Sequence, residues 1–233
     1  MVIMSDPAKE IKEHGYTILR GALSQTAIQE ARNAVVRWFR LGHRGFANEG
    51  GSSVPDFIRI PALAPVAKLK ECSAVREALT KILGPNHRFC SHNDIGVGRV
   101  VGWHKDKLNG EYSRFQKTDI WKPSPNGEQH EIVKVLIYLQ PQHDVDTSLR
   151  VVPGSHRNPK INSEGEKVVR LEAGDVLVFD QRITHRGAAR CDPNRILVAF
   201  GFGKNNMFTD EFERGTRLRQ QRQYVQMNSV ESI

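Results

Sequence analysis

The sequence predicts a mainly β protein, an antiparallel sandwich or barrel with helices before and after it. Three observations carry this expectation. Apolar periodicity is helical up to Gly84-Pro85 and strand-like afterwards. Seven short candidate strands follow, with no helical crossovers between them, which argues against a parallel sheet. Turn chemistry at Pro153-Gly154, Gly174-Asp175 and Asp192-Pro193-Asn194 separates several of these strands.

Taken in order, Pro7 to Gly15 reads as a short polar helix ending at glycine, followed by the extended Tyr16-Thr17-Ile18-Leu19-Arg20. Ser24 is a candidate N-cap for a helix whose apolar face is Ala27, Ile28, Ala31, Ala34, Val35 and Phe39, stopped by Gly42. Residues 43 to 65, with Gly50-Gly51-Ser52-Ser53, read as a loop, either a mobile active-site flap or a disordered segment. A further helix over about Ser73 to Leu83 sets Val75, Leu79 and Ile82 on one side. Candidate strands then run over Arg88 to Ile95, Gly98 to His104, Ile132 to Gln140, Leu149 to Val152, Val168 to Leu171, Asp175 to Phe179 and Ile196 to Gly203. A last helix, about Thr209 to Gln223, would cap the body. A single domain over 1–233 accommodates all of this: N-terminal helices at about 7–83, a β core at about 87–203 and the C-terminal helix at about 209–223.

Composition narrows the class. The chain has 233 residues, 39% hydrophobic and 26% charged, as an ordinary globular protein does. No apolar run approaches the roughly 18 to 20 residues of a membrane span, and Met1-Val2-Ile3-Met4-Ser5-Asp6 is not a basic region followed by an apolar one. Cys72, Cys90 and Cys191 match no zinc or redox spacing. A cytoplasmic protein is therefore expected. The net charge of +8 is spread along the chain without an aromatic-interleaved basic tract, so nucleic acid is not expected as a partner. A basic cleft for an anionic small molecule is the better use of that charge.

The chemistry concentrates at Val101-Gly102-Trp103-His104-Lys105-Asp106. On an extended chain residues two apart share a face, so His104 and Asp106 can grip one ion. An imidazole and a carboxylate make up two thirds of the 2-His-1-carboxylate set that holds non-haem Fe(II) with open positions. His185 lies beyond the strand that follows Gly174-Asp175, which suits the third ligand. A second His-x-Asp, His92-Asn93-Asp94, has no such downstream partner and reads as structural or supporting. Ser91 and Asn93 alternate onto one face and are candidates to hydrogen-bond a co-substrate. Lys134 and Tyr138 share a face of an apolar strand, inward or exposed. Trp103 reads as packing beside the site, and His156 as a turn or surface residue.

The order of pieces resembles the phytanoyl-CoA dioxygenase family. The pieces are Gly15-Tyr16-Thr17-Ile18-Leu19-Arg20-Gly21, then Trp103-His104-Lys105-Asp106, then Leu149 to His156 with Pro153-Gly154-Ser155, then Gly174 to Phe179, then His185 with Arg195. This resemblance, over about residues 10 to 203, implies a double-stranded β-helix of jelly-roll or cupin-like type and an Fe(II)- and 2-oxoglutarate-dependent dioxygenase. Such an enzyme would hydroxylate a small molecule with O2, releasing succinate and CO2. By position, His104, Asp106 and His185 would hold the iron, and Arg195 would pair with the far carboxylate of 2-oxoglutarate. A guanidinium fork suits that carboxylate, and a turn at Asp192-Pro193-Asn194 could return Arg195 toward His185, ahead of its rivals Arg186 and Arg190. Halogenases resembling the family replace the carboxylate ligand with a small residue, so Asp106 favours hydroxylation. Lys117 and Lys122, in the polar segment before Ile132, are candidate contacts for an anionic substrate. The competing readings are a non-catalytic jelly-roll ligand binder and a cupin-type metalloenzyme without 2-oxoglutarate, for which Arg195 discriminates. Substrate and oligomeric state are left open.

Overall fold

The computed structural model describes residues 6–48 and 50–229; the opening Met1–Ser5 considered above lies outside them. Helix α1, Pro7–His14, is capped by the Asp6 side chain, which accepts from Ala8 N, and ends at Gly15 in the left-handed region (φ 81°). Strand β1 is Tyr16–Leu19 and helix α2 is Gln25–Arg40, the latter capped by Ser24. In place of the expected loop over 43–65, Phe46–Asn48 (β2) and Gly51–Pro55 (β3) form a hairpin that extends the sheet edge, followed by short helical turns and α3, Ala64–Ala67. Helix α4 spans Ser73–Leu83 as expected.

The β elements are β4 (Arg88–Val97), β5 (Ile132–Tyr138), β6 (Arg150–Val151), β7 (Lys167–Val168), β8 (Val176–Asp180), β9 (His185–Arg186) and β10 (Ile196–Gly203). They form a seven-stranded sheet in the order β1-β8-β5-β10-β4-β3-β2 and a three-stranded sheet β7-β6-β9, all pairings being antiparallel. The two sheets make the double-stranded β-helix of a jelly roll. Helix α5, Met207–Ser229, is longer than expected and lies along β4.

Both faces of the large sheet are covered, so its central strands are buried on both sides. On β5, Val133, Val135 and Ile137 join the face packed by Ile28, Ala31, Val35, Leu79 and Leu83 of α2 and α4. Leu136 and Tyr138 turn the other way, into the space between the sheets, with Leu149, Val151, Leu171, Leu177 and Phe179. Each such side chain contributes about 1.5–3 kcal/mol by burial. No helix among the described residues is long and apolar enough to cross a membrane.

Candidate metal centre

The segment 98–106 is not the strand its sequence suggests. Among the described residues its β pairing is limited to isolated bridges, Val100 to Ala188 and His104 to His185. The second is reciprocal, with His104 N donating to His185 O (2.9 Å) and His185 N donating to His104 O (3.0 Å). Asp106 N donates to Gln181 O at 2.9 Å. The chain is nonetheless extended enough to alternate: His104 and Asp106 face the interior between the sheets. Lys105 faces away, donating to Ser155 O (2.8 Å) and Arg182 O (2.7 Å) with its ammonium over the Trp121 ring.

The three predicted ligands converge. Among the described residues, His104, Asp106 and His185 are the group of side chains whose ligand atoms all lie within 4.8 Å of one another. His104 Nε2 lies 3.4 Å from Asp106 Oδ1, and His185 Nε2 lies 3.9 Å from Asp106 Oδ2. Each histidine has its Nδ1 against a backbone carbonyl, Gly102 O at 2.8 Å and Ile183 O at 3.0 Å. A carbonyl only accepts, so Nδ1 carries the proton and Nε2 presents a lone pair, the usual arrangement for ligating imidazoles. Burial pushes the His185 imidazole down to about 4, against the opposing pull of Asp106, so it is neutral at neutral pH. Burial also works to raise the Asp106 carboxyl; Lys134, His185 and His104 override it and hold the group well below the ordinary carboxylate range. Two imidazoles and one carboxylate, open to a cavity, are the donor set that suits Fe(II).

Arg195 lines the same cavity, walled by Leu136, Leu149, Phe179 and Leu197. It is 3% exposed, with Nη2 donating to the Tyr138 hydroxyl (3.1 Å) and Nε to Gln142 Oε1 (3.3 Å). Its rivals are engaged elsewhere, Arg190 with Asp144 and Arg186 over the Trp103 ring. Trp103 is half-buried and borders the outer part of the cavity.

Ser91 and Asn93 do not face the cavity. Ser91 Oγ donates to Glu213 Oε1 of α5 (2.7 Å), while Asn93 donates to Asp56 Oδ1 (3.1 Å) and accepts from Ile58 N. The opposite face of β4, His92 and Asp94, points inward. His156 is buried rather than on the surface. Lys117 lies in a separate groove with Arg114 and Glu211, and Lys122 is exposed beside Asp119. Lys134 and Tyr138 are both buried on the inward face. Arg219 of α5, which sequence reasoning missed, supplies a wall of the cavity, and no apolar pattern around it marks that face.

The comparisons agree with this architecture. No curated protein matches the chain. Among solved structures, the non-haem α-ketoglutarate-dependent epimerase SnoN of nogalamycin biosynthesis is 18% identical with a TM-score of 0.63, covering 84% of this chain and 80% of that one. HygX from Streptomyces hygroscopicus, solved with nickel, 2-oxoglutarate and hygromycin B bound, is 16% identical with a TM-score of 0.64, covering 87% and 88%. The α-ketoglutarate-dependent carbocyclase SnoK, also of nogalamycin biosynthesis, is 18% identical with a TM-score of 0.62, covering 87% and 85%. Identities this low speak for a shared fold. The family model described as phytanoyl-CoA dioxygenase matches residues 11–193, well over half of the sequence, and the chain belongs to that family.

Proposed function

We propose that this protein is an Fe(II)- and 2-oxoglutarate-dependent dioxygenase that hydroxylates a small molecule. The observation that carries the reading is the convergence of His104, Asp106 and His185 within 4.8 Å in a cavity that also holds Arg195. Bound Fe(II), with 2-oxoglutarate and O2, supplies the oxidising power for C–H cleavage, and succinate and CO2 leave as co-products.

The chain's own groups provide the rest. His104 and His185, oriented by their Nδ1 contacts, and the Asp106 carboxylate would hold the ion. Arg195, kept in place by Tyr138 and Gln142, offers its remaining N–H groups to the far carboxylate of the co-substrate. Leu136, Leu149, Phe179 and Leu197 keep water from the reacting region. A carboxylate at position 106 leaves no room for a halide in the ligand set, which favours hydroxylation; SnoN and SnoK, an epimerase and a carbocyclase, mark the other outcomes to test. The three free thiols, Cys72, Cys90 and Cys191, fit a reducing cytoplasm.

The test is an anaerobic titration of Fe(II)-loaded protein with 2-oxoglutarate, followed by the weak visible charge-transfer absorption of the chelate. The band should appear with wild type and vanish with Asp106→Ala. Succinate release across a metabolite panel, with mass spectrometry for a gain of one oxygen, then identifies the reaction. No band with wild type would remove the proposal.

A further inference from the structure

The metal centre leaves one buried charge without a task. Lys134 is 2% exposed on the inward face of β5, with its ammonium 5.2 Å from the centre of the Phe212 ring. Among the described residues it makes no hydrogen bond or ion pair, and it lines the outer cavity beside Asp106. A buried ammonium costs several kcal/mol unless an anion accompanies it. Asp106 is the carboxylate that attracts it most, and that carboxylate is shared with His104 Nε2 at 3.4 Å and His185 Nε2 at 3.9 Å.

Two further donors stand with Lys134. Arg219 Nη2 lies 2.9 Å from His92 Nδ1. A guanidinium only donates, so His92 Nδ1 accepts and its Nε2 carries the ring proton. Opposite Lys134 in the sheet register is Gly201, where a Cβ would come within 2.9 Å of His92 Cβ. The bare glycine lets the lysine and the histidine border one space. Asp94, the other carboxylate facing this region, is paired with Arg99 at 3.3 Å. Lys134 and Arg219 thus leave a net positive corner built of donors.

This corner is not the co-substrate's. Lys134 and Tyr138 are four residues apart on one strand, about 13 Å at roughly 3.3 Å per residue. Tyr138 holds Arg195, so the cavity has a cationic pole at each end of the inward face of β5.

We propose that Lys134, His92 and Arg219 form an oxyanion subsite for the substrate, a small molecule carrying a carboxylate, sulfate or phosphate group. Assigning the anion to the substrate rests on the oxygenase reading above; the subsite itself does not.

The probes are inorganic phosphate and propionate, each titrated calorimetrically into the metal-free full-length protein. At least one should bind wild type. In an Arg195→Gln background, which removes the co-substrate's carboxylate site, Lys134→Met and Arg219→Gln should each weaken that binding about tenfold or more. Binding of 2-oxoglutarate to the Fe(II)-loaded protein should follow the reverse pattern, lost in Arg195→Gln and kept in Arg219→Gln. Whichever probe binds tighter identifies the oxyanion. If Lys134→Met fails to fold, Arg219→Gln, half-buried at the cavity wall, carries the test alone. The subsite is overturned if neither probe binds wild type, or if binding survives Arg219→Gln in the Arg195→Gln background. Loss of 2-oxoglutarate binding in Lys134→Met or Arg219→Gln but not in Arg195→Gln would overturn it too, by assigning this pole to the co-substrate. If 2-oxoglutarate binds no form of the protein while phosphate or propionate binding still depends on Lys134 and Arg219, the oxygenase reading fails and the subsite stands.

Discussion

Replacing Arg195 tests the co-substrate assignment with magnitudes that the surroundings of the side chain set. The guanidinium carries five N–H donors in a fixed fork. Two of its nitrogens are engaged by the protein, Nη2 with Tyr138 and Nε with Gln142, so the remaining donors can meet a carboxylate. The group is 3% exposed, so a carboxylate docked there is removed from water. Truncation to Met leaves that carboxylate unpaired, which costs about 2–5 kcal/mol, or roughly 30- to 5,000-fold in the Kd for 2-oxoglutarate. Arg195→Lys keeps the charge and loses the fork, for an expected loss of about 10- to 150-fold. Tyr138→Phe leaves the guanidinium intact and frees one of its donors, for about 5- to 30-fold. The anaerobic absorption titration reads all three. Fe(II) affinity should stay within about twofold of wild type in each, because Arg195 donates to Tyr138 and Gln142 and not to the three ligand side chains. A wild-type Kd for 2-oxoglutarate in Arg195→Met, or a larger loss in Tyr138→Phe than in Arg195→Met, would refute the reasoning.

Lys105 clamps the segment that carries His104 and Asp106 through Ser155 O and Arg182 O, so Lys105→Met should weaken Fe(II) binding about tenfold; unchanged metal affinity would dismiss the clamp. Burial pushes the His130 imidazole down to about 4, against about 6.5 in an unfolded chain. As pH falls between those values the unfolded state takes up a proton that the native state refuses, and about 3 kcal/mol of stability is lost, the full amount being present only above the unfolded value. Urea melts at about pH 7 and about pH 4.5 should therefore show a smaller drop for His130→Leu than for wild type, and equal drops would contradict the assignment. Gly174 has φ 101°, and a Cβ there would come within 2.6 Å of Leu23 O. Gly174→Ala should cost about 2 kcal/mol or more and lower Tm, and a variant as stable as wild type would show that this turn can relax.

The jelly roll was legible because β5, β8 and β10 are apolar runs bounded by turn residues. The triad was legible because residues two apart share a side of any extended chain, even one that lacks a ladder, as 98–106 does. The face of β4 was not. Ser91 and Asn93 on one side and His92 and Asp94 on the other are equally polar, since one side meets the cavity and the other meets Glu213 of α5 and Asp56. Polarity therefore carried no information about direction, and Ser91, with φ 60° near a register shift, adds a local irregularity that no pattern announces. The hairpin at Phe46–Pro55 was hidden for a related reason. Its turn, with Gly50-Gly51-Ser52-Ser53, is small and polar and reads as loop, although β3 pairs with β4 and buries Val54. Arg219 escaped because the buried residues of α5 mix Phe208, Phe212 and Met227 with Thr209, Glu213, Thr216 and Gln220, which blurs the apolar signal.

The placement of α5 bears on how such an enzyme could diversify. The family match ends at residue 193, whereas Arg219 and Gln220, which border the cavity, come from a helix beginning at Met207. Part of the cavity wall is thus supplied from beyond the stretch that carries His104, Asp106 and His185. Drift within one C-terminal helix can retune what is admitted without disturbing the scaffold that binds the ion.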